Sequence, residues 1–580
     1  MNTYLKKSCL IFISLFGMSL SLSFAQLSEP LPFMTHAKPL SAEIVDLGML
    51  DTVPSAAALV RLPNRKIVYM VKEQGKWEPF YVKAIETGYW DTRYEKDTDY
   101  DSVFADMREM GANTAYVMLH WEDIEPADNR FDYSFADSVV AAAGRQGLKV
   151  GWVLFLHAQK ERVPSLKPET AWTFHLDDRD SSNYTMQWVK RDGKLYSNIK
   201  DILDYGVRPL HVYGHKEIFY RVRRMLYQLA RHYRFDETVI GVQLGNEEGF
   251  SFLDESDFNP VTAELYKEWM HKTNKTDYAQ FKKEAMDWWW QQFTSAYHEG
   301  DPYKIISFNL DAAQAEAGDP ERVAMTGTSA STYADGNLDV IGTMFYKGWG
   351  YKAILGLDHR YNNSYNYQLP ILIPSEIGIG RFNSPVWFRH FIAHTLERAA
   401  QGFGVYCYGE VRKELPELGD VRNELIRMLK NISLNEDIIW EGLPGPGAVS
   451  CQVDEPGIQM SHLNKNGQET LILIYFPEAK EMTDSSRIAR LQSLKLNCKA
   501  QKKGHYKVDV YKNGECIKSN SLSLKAGISR SIPIDGIRMD DIVFISIRQD
   551  ICNKNNNKGH RKFISNYENQ RQYTKEFLES

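Results

Sequence analysis

Residues 239–249 read VIGVQLGNEEG, a short apolar run followed directly by polar residues and glycine. Such a run, rich in β-branched side chains, is typical of a strand that is buried on both faces of a parallel sheet. An amphipathic helix precedes it, since apolar residues recur there at helical spacing: Ile218, Val222, Met225, Leu226 and Leu229. A helix followed by a buried strand is one unit of an α/β fold.

The same alternation extends in both directions along the chain. Apolar, strand-like runs begin near eight positions: Tyr81, Thr114, Val150, Val239, Lys304, Val340, Ile371 and Gly404. Helical stretches lie between several of these runs, notably around residues 103–110, 134–143, 265–286 and 387–401. Eight such units are what a closed barrel needs. The alternative, an open doubly wound sheet, is disfavoured because no glycine-rich phosphate turn follows any strand. We therefore predict an α/β fold, with a (β/α)8 TIM barrel over residues 67–442.

The chain changes character after the predicted barrel. Residues 443–447 read LPGPG, a cluster of helix and strand breakers that is typical of a linker. Strand-like runs then recur without helices, and Asn513-Gly514 between two of them indicates a hairpin. We predict an all-β sandwich over residues 448–549. The polar residues 550–580 are predicted to be a disordered tail.

The N-terminus has the pattern of a secretory signal. Two lysines precede an apolar run over residues 10–24, and Ala25 follows that run. A basic start, a short apolar core and small residues before the cut are the marks of a signal peptide. We predict that residues 1–25 are removed and that the protein is exported to the periplasm or the extracellular space, without stable membrane insertion; a retained signal anchor is the alternative. Residues 26–66 show no clear hydrophobic periodicity and are predicted to be a surface segment.

Composition excludes several classes of function. The formal net charge of −6 argues against a nucleic-acid partner, which requires a basic face. The cysteines are scattered without a CxxC pair, so they predict neither a disulfide framework nor a zinc site, although one bridge, for example Cys498 to Cys516, stays open. Phosphate-loop, nucleophile-elbow and HExxH motifs are absent from the sequence. We therefore predict no metal and no cofactor. The oligomeric state is left open.

Two glutamates follow predicted barrel strands. Glu247 comes directly after the fourth strand and Glu376 directly after the seventh. The reactive groups of such barrels lie at the C-terminal ends of the strands, so both carboxylates can face one pocket. Two carboxylates across a glycosidic bond suffice to hydrolyse it, and the configuration is retained when they are about 5–5.5 Å apart. Glu248 is a rival for the acid/base position.

Several segments resemble glycoside hydrolases. Residues 111–114 (GANT) and 121–126 (WEDIEP) resemble the second βα unit of glycoside hydrolase families 35 and 42. Residues 243–249 resemble the acid/base segment of family 35, and residues 373–378 resemble its nucleophile segment. One departure is Gly245, which stands where family 35 commonly has Glu.

The resemblance implies a retaining, exo-acting β-galactosidase that acts on oligosaccharides or polysaccharides, with Glu247 as acid/base and Glu376 as nucleophile. It also implies that Tyr346 orients the nucleophile. Two alternatives stay open: the same mechanism on another β-glycoside, and a catalytically silent barrel that binds carbohydrate.

Further residues at strand ends are candidates for substrate binding. Asn246 offers an amide to a sugar hydroxyl, and Trp349 and Tyr408 are candidates for an aromatic floor under a sugar ring. His120 and His157 end the second and third strands and either bind substrate or are satisfied by barrel backbone. The candidates are completed by two residues: Trp121, in the family-like segment, and Asn309, at the pocket rim.

Overall fold

The structure is a computed structural model. It describes residues 31–35, 38–87, 98–126, 129–155, 158–160, 207–209, 216–246, 260–310, 324, 327–328, 338–346, 371–380, 384–477 and 492–550.

Eight parallel strands form the centre of the molecule and close on themselves. They are β1 Val82–Thr87, β2 Thr114–His120, β3 Lys149–Phe155, β4 Val239–Asn246, β5 Ile305–Leu310, β6 Val340–Phe345, β7 (Ile371–Leu372 and Glu376–Gly378) and β8 Gly402–Tyr406. Each strand pairs in parallel with the next along the chain, and β8 pairs back to β1. This closed ring confirms the predicted (β/α)8 barrel.

Helices lie between the barrel strands and after the last one. The longer ones are Tyr100–Met110, Ser134–Arg145, Lys216–Tyr233, Pro260–Thr273, Tyr278–Gly300, Pro385–Glu397 and Gly419–Leu434, and the shorter ones are Trp121–Ile124 and Glu436–Glu441. The first of them has a defined start and end, because the Asp99 side chain accepts from the Ser102 amide and Gly111 ends the helix in the left-handed region. Their apolar faces pack on the barrel in one continuous core.

The end of β4 has a local irregularity. The register between β4 and β5 shifts between Gln243 and Asn246, and Gly245 has a φ of 69°. A backbone in the left-handed region favours glycine, because any Cβ there is strained. The departure of Gly245 from the family pattern therefore has a local cause: this strand end turns at a position that suits glycine and disfavours Glu.

A separate four-stranded sheet precedes the barrel. Its strands are Ile44–Asp46, Ala57–Arg61, Ile67–Glu73 and Lys76–Pro79. Apolar side chains of this sheet form one cluster with the first residues of several barrel strands, including Val82, Ile305 and Val340. The sheet therefore covers the N-terminal end, or floor, of the barrel.

This sheet differs from the sequence expectation. Residues 26–66 were expected to be a surface segment, yet Ala57 to Val60 are fully buried and pair with the following strand. The barrel itself begins at Val82, not at residue 67. The alanine-rich run at residues 56–58 hides the strand period, since alanine gives little contrast between buried and exposed faces.

An antiparallel domain follows the barrel. One sheet contains Leu443–Pro444, Gln459–Lys465, Glu469–Tyr475, Gly504–Lys512, Glu515–Leu524 and Val543–Gln549, and the other contains Val449–Val453, Gln492–Ala500 and Ser529–Ile537. A common apolar core contains residues of both sheets, so the domain is a sandwich, as predicted. Asn513 and Gly514 both have positive φ at the predicted hairpin turn.

The cysteine that lies next to Cys498 is not the one considered in the sequence analysis. Cys498 lies opposite Cys451 on the neighbouring strand, whereas Cys516 is exposed on the other sheet. The predicted signal peptide and residues 551–580 of the predicted tail lie outside the described residues. Among the helices that the structure describes, none combines the length and apolar character needed to cross a bilayer.

Candidate active site

Glu376 is the central residue at the C-terminal end, or mouth, of the barrel. It opens the second segment of β7, and its side chain is buried. The Tyr346 hydroxyl, directly after β6, donates a hydrogen bond to one carboxylate oxygen. The Asn309 amide, in β5, donates to the other oxygen at 2.5 Å. Three neighbouring strands thus bring a carboxylate, a phenol and an amide together.

The Asn309 side chain is itself oriented. Ser375 Oγ donates to Asn309 Oδ1 at 2.9 Å, so the amide nitrogen must face Glu376. Gly342 of β6 leaves room for this contact, because a Cβ there would lie 3.1 Å from Ser375 Oγ and 2.6 Å from the Phe308 carbonyl oxygen. The sequence analysis placed Asn309 only at the pocket rim. The structure places it on the carboxylate.

Tyr346 is held as a hydrogen-bond donor by its surroundings. Burial raises the pKa of its hydroxyl well above the ordinary value, and the negative charge of Glu376 and their hydrogen bond raise it further. Tyr406 and Glu86 contribute in the same direction. The phenol therefore stays protonated through neutral and mildly alkaline pH, which suits a group that fixes a carboxylate.

Glu86 is a buried carboxylate that the sequence analysis missed. It lies near the end of β1, and its charge acts on both Tyr346 and Tyr116. The signal that could have found it is the one used for the other glutamates, namely an acidic residue at the C-terminal end of a barrel strand. It adds a second carboxylate near Tyr346, since Glu86 and Glu376 both raise the pKa of that phenol.

His120 and Trp121 stand where β2 passes into a short helix. The His120 backbone N–H donates to Asp123 Oδ2 at 2.9 Å, and the His120 side chain is fully buried. Trp121 Nε1 donates to Glu125 Oε2 at 2.7 Å, and Glu125 in turn accepts from Arg224. These contacts fix the loop on its helix. Substrate contact by either residue stays a prediction.

Tyr408 follows β8 and is almost fully buried. Its hydroxyl donates to Asp106 Oδ2 at 3.1 Å. Asp106, on the helix Tyr100–Met110, is also bound by Arg422 at 2.7 and 3.0 Å. These contacts hold the Tyr408 ring against the helical layer, as expected for a residue with a structural role. They lend no support to the predicted sugar-stacking role.

The remaining predicted residues are described in part or not at all. Asn246 is the last residue of β4, and its backbone pairs in register with Asn309, whose amide binds Glu376. The end of β4 is therefore adjacent to the Glu376 group. Glu247, His157 and Trp349 lie outside the described residues.

The chemistry available in the described mouth is that of carboxylates. In the part of the chain that the structure describes, no group of three or more His, Cys, Asp or Glu side chains is arranged to hold a metal ion. A carboxylate can act as a nucleophile toward an electrophilic carbon, and the amide and the phenol fix the orientation of this one.

Comparisons with known proteins give matches at the level of structure. No protein-family model matches the chain, and no curated protein matches it significantly. A β-galactosidase from the psychrophilic Marinomonas ef1 is 12% identical, with 63% of each chain covered and a TM-score of 0.46. A structure named glycoside hydrolase is 10% identical and covers 85% of this chain and 97% of its own, with a TM-score of 0.47. An exo-β-1,4-mannosidase from Opitutaceae bacterium strain TAV5 is 15% identical, covering 57% of this chain and 52% of its own, with a TM-score of 0.35.

Two of these matches are partial, since the chain spans 63% and 52% of the lengths of the β-galactosidase and the mannosidase. The assignment of the barrel rests on the strand pairing described above, which closes the ring without reference to any other protein.

Proposed function

We propose that the protein is a retaining β-glycosidase in which Glu376 is the nucleophile. The observation that carries the proposal is the placement of Glu376: a buried carboxylate at the C-terminal end of a barrel strand, with one oxygen bound by Tyr346 and the other by Asn309. The C-terminal face is where barrel enzymes carry out their chemistry.

The mechanism proceeds in two displacements. In the first, a Glu376 oxygen attacks the anomeric carbon and the departing glycosyl oxygen takes a proton from Glu247. In the second, Glu247 removes a proton from water, which attacks the same carbon and releases Glu376. The role of Glu247 rests on its sequence position directly after β4, whose last residue pairs with Asn309.

Tyr346 and Asn309 assist both displacements. Their hydrogen bonds fix the carboxylate plane in the first displacement, so that little rotational freedom is lost on reaching the transition state. In the second displacement the same donors stabilise the negative charge that returns to Glu376 as the covalent bond breaks. The raised pKa of Tyr346 keeps its proton available for that contact.

For the substrate we propose a terminal β-galactoside of an oligosaccharide or polysaccharide. This choice is supported by the resemblance of residues 111–126, 243–249 and 373–378 to family 35 and 42 segments. Another β-glycoside, hydrolysed by the same two carboxylates, is the second candidate. The signal-like residues 1–25 support an exported enzyme that meets such glycans outside the cytoplasm.

The test is covalent trapping. The full chain is first assayed on aryl β-glycosides of galactose, glucose, mannose and glucuronic acid, and the anomer released first from the best substrate is identified by NMR. A 2-deoxy-2-fluoro derivative of that sugar should then accumulate as an ester on the peptide containing Glu376, as mass spectrometry would show. Release of the β-anomer and labelling of Glu376 support the proposal. Inversion, or a label on another carboxylate, contradicts it.

A further inference from the structure

Two cysteines face each other inside the C-terminal sandwich. Cys451 lies in the strand Val449–Val453 and Cys498 in the strand Gln492–Ala500, directly opposite each other in the antiparallel register. Their Sγ atoms are 2.6 Å apart, and both side chains are buried. This separation is well below ordinary non-bonded packing distances, so no third group can lie between the two sulfurs.

The backbone geometry at this pair suits a covalent bond. The Cys451 backbone N–H donates to His462 Nε2 at 3.3 Å and so points away from Cys498. Because the Cys451 amide does not donate to Cys498, the two residues form a non-hydrogen-bonded pair, in which the Cα atoms approach to about 4.5 Å. That separation lies within the range of about 4.4–6.8 Å over which disulfides form.

We propose that Cys451 and Cys498 are oxidised to a disulfide that joins the two strands. The two thiols lose two protons and two electrons, one S–S bond forms, and a disulfide oxidant is reduced to two thiols by exchange. Compartments outside the cytoplasm supply oxidants of this class. The signal-like N-terminus would direct the chain to such a compartment.

The disulfide would hold an edge strand of the sandwich in place. Val449–Val453 is the first strand after the LPGPG linker, and it lies at the edge of the three-stranded sheet, paired only with the strand of Cys498 among the described strands. The cysteines are 47 residues apart in sequence, so the bridge closes a long loop of the unfolded chain. Contact with Cys498, together with burial, raises the pKa of the Cys451 thiol. Exchange through a thiolate is therefore favoured before the sandwich closes over the pair.

Peptide mapping tests the pairing directly. The full chain is folded in a glutathione redox buffer, denatured without reductant, alkylated and digested. We expect a linked peptide pair that contains Cys451 and Cys498, with Cys407 and Cys516 alkylated. Alkylation of both Cys451 and Cys498, or a link between Cys498 and Cys516, would overturn the proposal.

A stability measurement tests the consequence. Added reductant should lower the melting temperature of the sandwich transition by on the order of 10 °C in the wild type and in the exposed-site control Cys516→Ser. The double variant Cys451→Ala/Cys498→Ala should show no effect of reductant. An equal effect of reductant in the double variant would contradict the proposal. Neither test depends on glycosidase activity.

Discussion

The two ends of the barrel both bury charged groups, but they use them differently. At the floor, a histidine meets a carboxylate: His298 Nε2 lies 2.8 Å from Asp339 Oδ2, and both side chains are buried. At the mouth, Glu376 accepts from an amide and a phenol, and Glu86 adds a second negative charge nearby. The Asp339 carboxylate is paired with a histidine, whereas the amide and the phenol that donate to Glu376 are neutral groups.

The floor also uses its charges to bind backbone. Asp339 Oδ1 accepts from the Ala42 amide at 2.7 Å, and its other oxygen accepts from the Ile306 amide at 2.8 Å. Asp339 therefore ties the segment before the first sheet to β5 and to the helix that carries His298. Lys66 also binds backbone, since its Nζ donates to the carbonyls of Ile439, Trp440 and Gly442, and burial lowers its pKa to about 7. Under the proposed mechanism, the floor contributes stability and the mouth carries the chemistry.

The largest effect should come from removing the nucleophile. Glu376→Ala should lower kcat by about 10⁴-fold or more, because the covalent intermediate cannot form. Urea unfolding should show a stability close to that of the wild type, because the relief of removing a buried charge offsets the loss of the acceptor for Tyr346 and Asn309. The matched control is Glu424→Gln, a buried glutamate on the helix Gly419–Leu434 that pairs with Arg389 at 3.4 Å. Comparable loss of turnover in both variants would show that burial, and not position, accounts for the effect.

The floor should give the opposite result. Asp339→Ala leaves the buried His298 and two backbone amides without their acceptor, so the free energy of unfolding should fall by about 3–5 kcal/mol. The kcat of the folded fraction should stay at the wild-type value. Urea titration measures the first quantity, and steady-state kinetics at low temperature measure the second. A fall in kcat of the folded enzyme would contradict the assignment of stability to the floor and of chemistry to the mouth.

Asn309 should show an intermediate effect at the mouth. Asn309→Ala removes one donor to Glu376, and kcat should fall by about 10²-fold with little change in KM, as for other donors that act mainly in the transition state. Ser375→Ala, which only loosens the orientation of Asn309, should cost less. A change confined to KM in both variants would mean that Asn309 binds substrate instead of positioning the carboxylate.

Much of this division could be predicted from the sequence, and the missing parts have physical causes. The eight strand positions follow from apolar runs that alternate with helical periods, and the barrel confirms them. The first two strands of the floor sheet, Ile44–Asp46 and Ala57–Arg61, were missed because the alanine-rich one has little hydrophobic contrast. The contact of Asn309 with Glu376 depends on the β4–β5 register shift and on the Ser375 hydroxyl, which no spacing in the sequence encodes. The roles of Glu247, His157 and Trp349 stay predictions.

The smallest effect is a pH dependence at the floor. Burial alone lowers the pKa of His298, but the Asp339 carboxylate and the Asp301 carbonyl outweigh it, and the net pKa is raised. Only the imidazolium can donate from both ring nitrogens, which lie 2.8 Å from Asp339 Oδ2 and 3.0 Å from the Asp301 carbonyl oxygen. A raised folded-state pKa gives stability that is complete below the ordinary histidine value and is lost as the pH rises through the folded-state value.

The melting temperature of the wild type should therefore fall by a few degrees relative to His298→Gln as the pH is raised from slightly acidic to alkaline. The surface pair His232–Asp137, at 2.9 Å, is the control. His232→Gln should follow the wild-type profile, because a partly exposed pair is screened by solvent and contributes little. If His298→Gln and His232→Gln gave the same dependence of melting temperature on pH, the buried pair would contribute no more to stability than the surface pair. The His298–Asp339 pair would then make no pH-dependent contribution to the stability of the protein. The assignment of chemistry to the mouth depends on Glu376 and would not be affected.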